Sequence, residues 1–320
     1  MHIDMPLYQL KKYQGKSVRP KDFDVYWEEG LKEVTSLPED YELVPAAVES
    51  DFADCFHLYF TGTGGARIHA KFVQPKEVKQ ESPGLVMFHG YSVDSGDWLD
   101  KLAYAAQGIT VLAMDCRGQG GLSEDTLQVK GPTLRGHVIR GIEDPNPNNL
   151  YFRHVFLDTV KSVRVLQSMD HIDPERIGVW GISQGGALAV ACAALVPEVK
   201  EVATVYPFLS DYRRVWEDMD IQSTAYEEIA AYFKTRDPNH EREEEVFERL
   251  GYIDIQYLAT RIKGNVQWAL AMKDLICPPS TQFATYNKIS SHKEMIIFYE
   301  YGHEHLPGMA DRMFEQMKQL

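Results

Sequence analysis

Val179-Trp180-Gly181-Ile182-Ser183-Gln184-Gly185-Gly186 follows directly on a short apolar run, 177–180, and opens a helix-forming stretch over 184–196. The G-x-S-x-G pattern inside it is weak alone, because glycine makes up about 7% of ordinary chains and the pattern arises by chance. Its setting makes it informative. A serine between a buried strand and a helix stands on a sharp turn, and only small flanking residues let the chain make that turn. The turn lifts the hydroxyl above the end of a sheet, where a nucleophile has to be. The competing reading is a Gly-rich turn in which Ser183 only caps the helix.

Working outward, five more short apolar runs of the same kind occur at 84–88, 109–114, 201–206, 266–272 and 294–299. Helical stretches over 97–107, 152–169, 184–196, 279–288 and 305–319 alternate with them. Strands apolar throughout are buried on both faces, as in a parallel sheet under two helical layers. Before them, Tyr41-Glu42-Leu43-Val44, His57-Leu58-Tyr59-Phe60 and Ile68-His69-Ala70-Lys71-Phe72-Val73 read as strands. The break at Gly62-Thr63-Gly64-Gly65 makes the last two a hairpin. Residues 1–40 are polar and mixed, an N-terminal extension with a short helix near 22–34. Residues 208–262, rich in Glu and Arg around 226–250, read as a helical cap inserted over the sheet's edge. The expectation is a single α/β domain over 1–320, a doubly wound, mostly parallel sheet with an N-terminal antiparallel hairpin and a cap insertion.

A serine nucleophile needs a base, and the base needs an orienting acid; on this architecture the chain order is Ser, acid, His. Asp274 follows run 266–272, and His303 follows run 294–299 in Tyr301-Gly302-His303-Glu304-His305. Both stand past the carboxyl end of a predicted strand, where open α/β sheets place their sites. His305 is a second candidate base, but it is predicted to begin the last helix. Asp211, shortly after the fourth run, is a second candidate acid. Asp158, within helix 152–169, reads as a structural hydrogen-bonding group.

Ester hydrolysis also needs N–H donors aimed at the oxygen that gains charge. Gln184, next after the nucleophile, supplies one. Tyr91, in Phe88-His89-Gly90-Tyr91-Ser92 after the first buried run, is placed to supply the other from its main chain, which leaves its phenol dispensable. His89 reads as packed and structural. Asp115-Cys116-Arg117-Gly118-Gln119-Gly120-Gly121 lacks the Lys-Ser/Thr of a P-loop and the spacing of a dinucleotide fingerprint, so Arg117 and Gln119 are expected to brace loops. No metal site is expected: there is no H-E-x-x-H, and His303 and His305, two apart, do not share a helix face. Pro207, Phe208, Ile276 and Cys277, together with Tyr91, are expected to wall a short apolar slot for an acyl methyl.

The 320 residues are 44% hydrophobic and 25% charged, which excludes a disordered or collagen-like chain. Against 33 basic residues stand 47 acidic ones, and the resulting −14 repels phosphate backbones and anionic lipid. Neither nucleic acid nor a membrane is an expected partner, and no stretch approaches the ~18 apolar residues of a span. Cys55, Cys116, Cys192 and Cys277 form no C-x-x-C pair and read as buried thiols in a reducing compartment. No basic-then-apolar leader is visible, so the expected location is cytoplasmic.

F-H-G-Y-S at 88–92, R-G-Q-G at 117–120, G-I-S-Q-G-G at 181–186, D-x-I-C-P-P-S at 274–280 and G-H-E at 302–304 together resemble carbohydrate esterase family seven. These are the acetyl xylan esterases and cephalosporin C deacetylases of the α/β-hydrolase superfamily. Arg140-Gly141-Ile142-Glu143-Asp144-Pro145, leading to Tyr151-Phe152-Arg153, also resembles that family. The resemblance implies an α/β-hydrolase fold, a Ser183–His303–Asp274 triad and an oxyanion hole of Tyr91 and Gln184. It further implies removal of acetyl groups from small acetylated sugars (xylo-oligosaccharides) and cephalosporin C-like esters, no cofactor, and a homo-oligomer, a hexameric ring. Two other readings compete. A peptidase resembling the prolyl oligopeptidase group would need room for a propeller domain and commonly carries an aromatic residue where Gln184 stands. A non-catalytic interaction protein on this fold usually lacks a triad member, and here all three candidates are present.

Overall fold

A computed structural model describes residues 3–77, 81–133, 136–219 and 225–320. The strands are β1 (Tyr41–Pro45), β2 (Ala53–Thr61), β3 (Arg67–Pro75), β4 (Ser82–Phe88), β5 (Thr110–Met114), β6 (Ile172–Ile182), β7 (Glu201–Val205), β8 (Asn265–Ala271) and β9 (Lys293–Phe298). They form one sheet in the order β1-β2-β3-β5-β4-β6-β7-β8-β9. β1, β2 and β3 pair antiparallel, and β3 meets β5 antiparallel. From β5 across to β9 every pairing is parallel. This is the α/β-hydrolase architecture expected from the sequence.

The helices are α1 (Leu7–Leu10), α2 (Phe23–Thr35), α3 (Trp98–Ala105), α4 (Tyr151–Gln167), α5 (Gln184–Leu195), α6 (Tyr212–Asp218), α7 (Glu227–Thr235), α8 (Glu243–Tyr252), α9 (Ile255–Leu258), α10 (Pro279–Tyr286) and α11 (Met309–Met317). Side chains alternate across each strand and so serve two cores. Val86 and Phe88 of β4 join the layer of α4 and α5, while Leu85 and Met87 join that of α3 and α11. Helix α5 is buried along its whole length, which is why its sequence is apolar on every face. Among the described residues, no helix is long and apolar enough to cross a membrane.

Several features differ from the sequence reading, and three bear on the site. β6 begins at Ile172, before its apolar run: buried Ile172 pairs with Ser82, and the exposed residues 174–176 separate it from the run at 177–180. Helix α11 begins at Met309, so His305 lies in an exposed loop before it rather than at a helix start. The cap helices α6 to α9 sit between β7 and β8, which are neighbours inside the sheet. The insertion therefore rises from the sheet's carboxyl end and not over its edge; chain order alone does not tell which strands are edges, and these are β1 and β9. Trp216, Phe233 and Phe247 hold the cap helices together, with ring centroids 4.6–6.4 Å apart.

The N-terminal extension is bound into this frame. Trp27 of α2 stacks on Phe156 of α4 at 5.8 Å. Asp4 accepts from the Ser280 N–H at 2.7 Å and pairs with Arg214 at 2.9 Å, tying the segment to α10 and α6.

Candidate active site

Ser183 occupies φ 60°, ψ −117°, a positive-φ conformation that a non-glycine residue adopts only at a cost of about 1–3 kcal/mol. The surroundings enforce it. Its N–H donates to the Val205 carbonyl at 2.9 Å, and its carbonyl accepts from the Phe208 N–H at 3.1 Å. The flanking glycines are required by contact: a Cβ on Gly185 would lie 2.0 Å from the Phe88 oxygen, and one on Gly181 2.2 Å from the Gly185 carbonyl. These contacts rule out the simple capped turn, since the serine makes no side-chain cap to its helix.

The three chain segments named from the sequence converge here. His303 Nε2 stands 3.0 Å from Ser183 Oγ, and His303 Nδ1 stands 2.8 Å from Asp274 Oδ2. Asp274 is fully buried, and its Oδ1 accepts from the N–H groups of Ile276 and Cys277, each at 2.8 Å. Those bonds keep it an acceptor toward His303, which places a proton on Nδ1 and leaves Nε2 free to take one from the serine. The Tyr206 ring lies 4.3 Å from the imidazole and its hydroxyl donates to the Glu304 carbonyl, steadying the histidine loop.

Gln184 directly follows the nucleophile, and its Nε2 lies 3.4 Å from the carbonyl of Gly90, the residue before Tyr91. Among the described residues, no protein acceptor takes the Tyr91 N–H. Gln119 braces the pair: its Oε1 accepts from the Ser92 N–H at 2.9 Å, and its Nε2 donates to Gln184 Oε1 at 2.8 Å. Arg117 is buried and bidentate on Asp158, at 2.7 Å through Nε and through Nη2. His89 accepts from the Cys116 N–H on Nε2 and donates from Nδ1 to the Gly90 carbonyl; burial pushes its pKa down. It is a structural histidine.

The competitors do not reach the site. His305 is exposed. Asp211 takes the Tyr13 hydroxyl at 2.7 Å and the Lys16 and Ser17 N–H groups at 2.8 Å, so the second candidate acid anchors the N-terminal segment instead. Of the expected slot residues, Phe208 is wholly buried, with its ring 5.7 Å from Tyr91 and 4.6 Å from Tyr226. Pro207 is also buried, Ile276 is half-buried, and Cys277 is buried with its N–H donating to Asp274 Oδ1. Asp274, Cys277 and His303 place ligand-type atoms within 4.8 Å of one another, but two of them are already bonded to each other as base and acid.

A family model for acetyl xylan esterase (AXE1) matches residues 1–320. The chain belongs to the acetyl xylan esterase family. That is a family of carboxylic ester hydrolases. The fold recurs in solved acetyl xylan esterases. The crystal structure of acetyl xylan esterase 1 from a Thermoanaerobacterium species is 50% identical, with 99% of each chain covered and a TM-score of 0.96. An acetyl xylan esterase from a Paenibacillus species is 34% identical, covering 98% of this chain and 99% of that one at a TM-score of 0.93. An acetyl esterase of Xylanibacter ruminicola is 27% identical over 303 residues, 90% of this chain; the chain spans 64% of that curated relative's length.

The sequence reading missed Glu228, on the cap. It is 1% exposed, accepts from the Tyr91 hydroxyl at 2.9 Å, and burial pushes its pKa up to about 7. One signal was available: Glu228 shares a helix face with Tyr232, four residues on, and so points inward with it.

Proposed function

We propose that the protein is a serine esterase that removes acetyl groups from small acetylated sugars by an acyl-enzyme mechanism. The observation that carries this is the unbroken line Ser183 Oγ–His303 Nε2–Nδ1–Asp274, raised on a strained turn between β6 and α5. In the forward step Ser183 Oγ attacks the ester carbonyl carbon while His303 Nε2 takes its proton. The carbonyl oxygen becomes anionic beside the main-chain N–H groups of Tyr91 and Gln184. Collapse breaks the ester C–O bond, and the imidazolium returns the proton to the sugar oxygen. Water then repeats the sequence on the acetyl-serine, releasing acetate and free Ser183.

The names of the two solved relatives point to acetylated xylan, and the reading takes its short oligosaccharides as the substrate class. A cephalosporin C-like acetoxy group presents the same bond to the same site. Pro207, Phe208, Ile276 and Cys277 would close a pocket sized for methyl. The same reading places the protein in a reducing cytoplasm, supported by four unpaired buried thiols, and makes it a homo-oligomer. Half-exposed Tyr41, Leu43 and Val44 on edge strand β1 support that association, which light scattering would test.

The experiment is a panel of 4-nitrophenyl esters from acetyl to octanoyl, with acetylated xylo-oligosaccharides, polymeric xylan and a peptide anilide alongside. Each methylene that clashes with the pocket should cost about 1 kcal/mol or more, so kcat/KM falls steeply from acetyl to butyryl. Level or rising values through octanoyl would point to a general carboxylesterase, and anilide cleavage to a peptidase.

A further inference from the structure

A main-chain role for Tyr91 leaves its phenol with no task, yet the phenol is held by a costly arrangement. The hydroxyl donates to Glu228 Oε1 at 2.9 Å and accepts from the His137 N–H. Glu228 Oε1 also accepts from His137 N at 3.2 Å, and Oε2 from Ile139 N at 3.1 Å. Gly136 passes over this junction at φ +95°, where a Cβ would lie 2.4 Å from both the phenol and the carboxylate oxygens. Burying a carboxylate is unfavourable unless donors surround it. The rest of the inner face of α7, with Ile229, Tyr232 and Phe233, could hold the cap by apolar contact alone. The carboxylate is explained by what it grips: one oxygen takes the Tyr91 hydroxyl and the other the 139 backbone. The Tyr91 ring packs on Phe208, whose N–H in turn holds the Ser183 carbonyl.

We propose that Glu228 is a positioning residue of the active site: from the cap it fixes the Tyr91 phenol and the 137–139 backbone, and thereby the place of the Tyr91 N–H that receives the oxyanion. This rests on the esterase reading above. Glu228 touches no reacting atom. It links the cap to the oxyanion hole, so the cap's seating sets the rate of acyl transfer.

The test measures kcat and KM on 4-nitrophenyl acetate, with Tm, for Glu228→Ala, Glu228→Gln, Tyr91→Phe and the double variant Tyr91→Phe/Glu228→Ala. Misplacement of a catalytic group by about 1 Å can cost ~100-fold, so Glu228→Ala should lower kcat by about 10- to 100-fold with KM little changed. Glu228→Gln keeps an oxygen for the phenol but turns its NH₂ toward the Ile139 N–H, so it should recover part of the loss and remain faster than Glu228→Ala. Tyr91→Phe cuts the same bond from its other end, and the double variant should be no slower than the slower single one. A folded Glu228→Ala variant with wild-type kcat, or losses that multiply in the double variant, would overturn the proposal. If Glu228→Ala does not fold, Tyr91→Phe, which removes a single oxygen, decides the matter through its own kcat. Inactivity of the wild type on acetyl esters would instead sink the esterase reading.

Discussion

Replacing Asp274 by Asn should leave the protein folded and nearly inactive, and the structure says why. Asp274 Oδ1 accepts two N–H groups, from Ile276 and Cys277, while Oδ2 faces His303 Nδ1. An asparagine can satisfy only one side. Turning its NH₂ toward the two amides would leave two buried donors unpaired, at about 1–3 kcal/mol each, or about 2–6 kcal/mol together. Its oxygen therefore stays on the amides, and its NH₂ meets His303. The imidazole must then accept on Nδ1 and carry its proton on Nε2, pointing at Ser183. In that tautomer it cannot act as the base, and the analogous change in serine proteases costs about 10⁴-fold in kcat. The assay is 4-nitrophenyl acetate hydrolysis at neutral pH, with circular dichroism and Tm as folding controls. A folded Asp274→Asn variant retaining more than about a tenth of the wild-type kcat would show that His303 needs no orienting acid, and the triad assignment would fall.

Glu228 has its pKa raised by burial from the usual 4.5 to about 7, so between those values the folded protein holds a proton that the unfolded chain has released. Its contribution to stability is full below about pH 4.5 and is lost as pH rises to about 7; Glu228→Gln should flatten the decline of Tm between about pH 4.5 and pH 7. Arg117→Met should destabilise by about 3–5 kcal/mol in urea unfolding, because it leaves the Asp158 carboxylate buried without its partner. A loss under about 1 kcal/mol would mean that water replaces the guanidinium there.

The sheet was legible because its strands are apolar on both faces and end in residues that serve a site. Leu85, Val86, Met87 and Phe88 show the principle: each face of the strand meets its own helical layer, so no polar position interrupts the run. The triad was legible for a related reason. Ser183, Asp274 and His303 each follow a strand, and parallel strands bring their carboxyl ends to one side of the sheet. What escaped notice depends on contacts between distant segments. Asp211 looked available as an acid, and only the fold brings Tyr13 and the 16–17 backbone onto it. Glu228 stood in a Glu-rich stretch whose charges otherwise read as a solvated cap. A third case is the chain His57–His69–Asp115, with ring nitrogens 2.8 Å apart and His69 at 2.6 Å from the carboxylate. Asp115 also takes the Ser95 and Leu122 N–H groups, and these bonds help hold its carboxyl well below the usual range. It thus ties the loops after β4 and β5 to β3, through residues dozens of positions apart with no local pattern to announce them.

The identity of the nucleophile can be read directly by trapping the acyl-enzyme. The protein is mixed with excess 4-nitrophenyl acetate, quenched in acid during turnover, digested and mapped by mass spectrometry, with Ser183→Ala run in parallel. The expected result is one acetyl group on Ser183, lost when turnover is allowed to finish, and neither adduct nor turnover in the Ser183→Ala protein. Acetyl transfer to another side chain such as Cys277, or undiminished hydrolysis by Ser183→Ala, would contradict it.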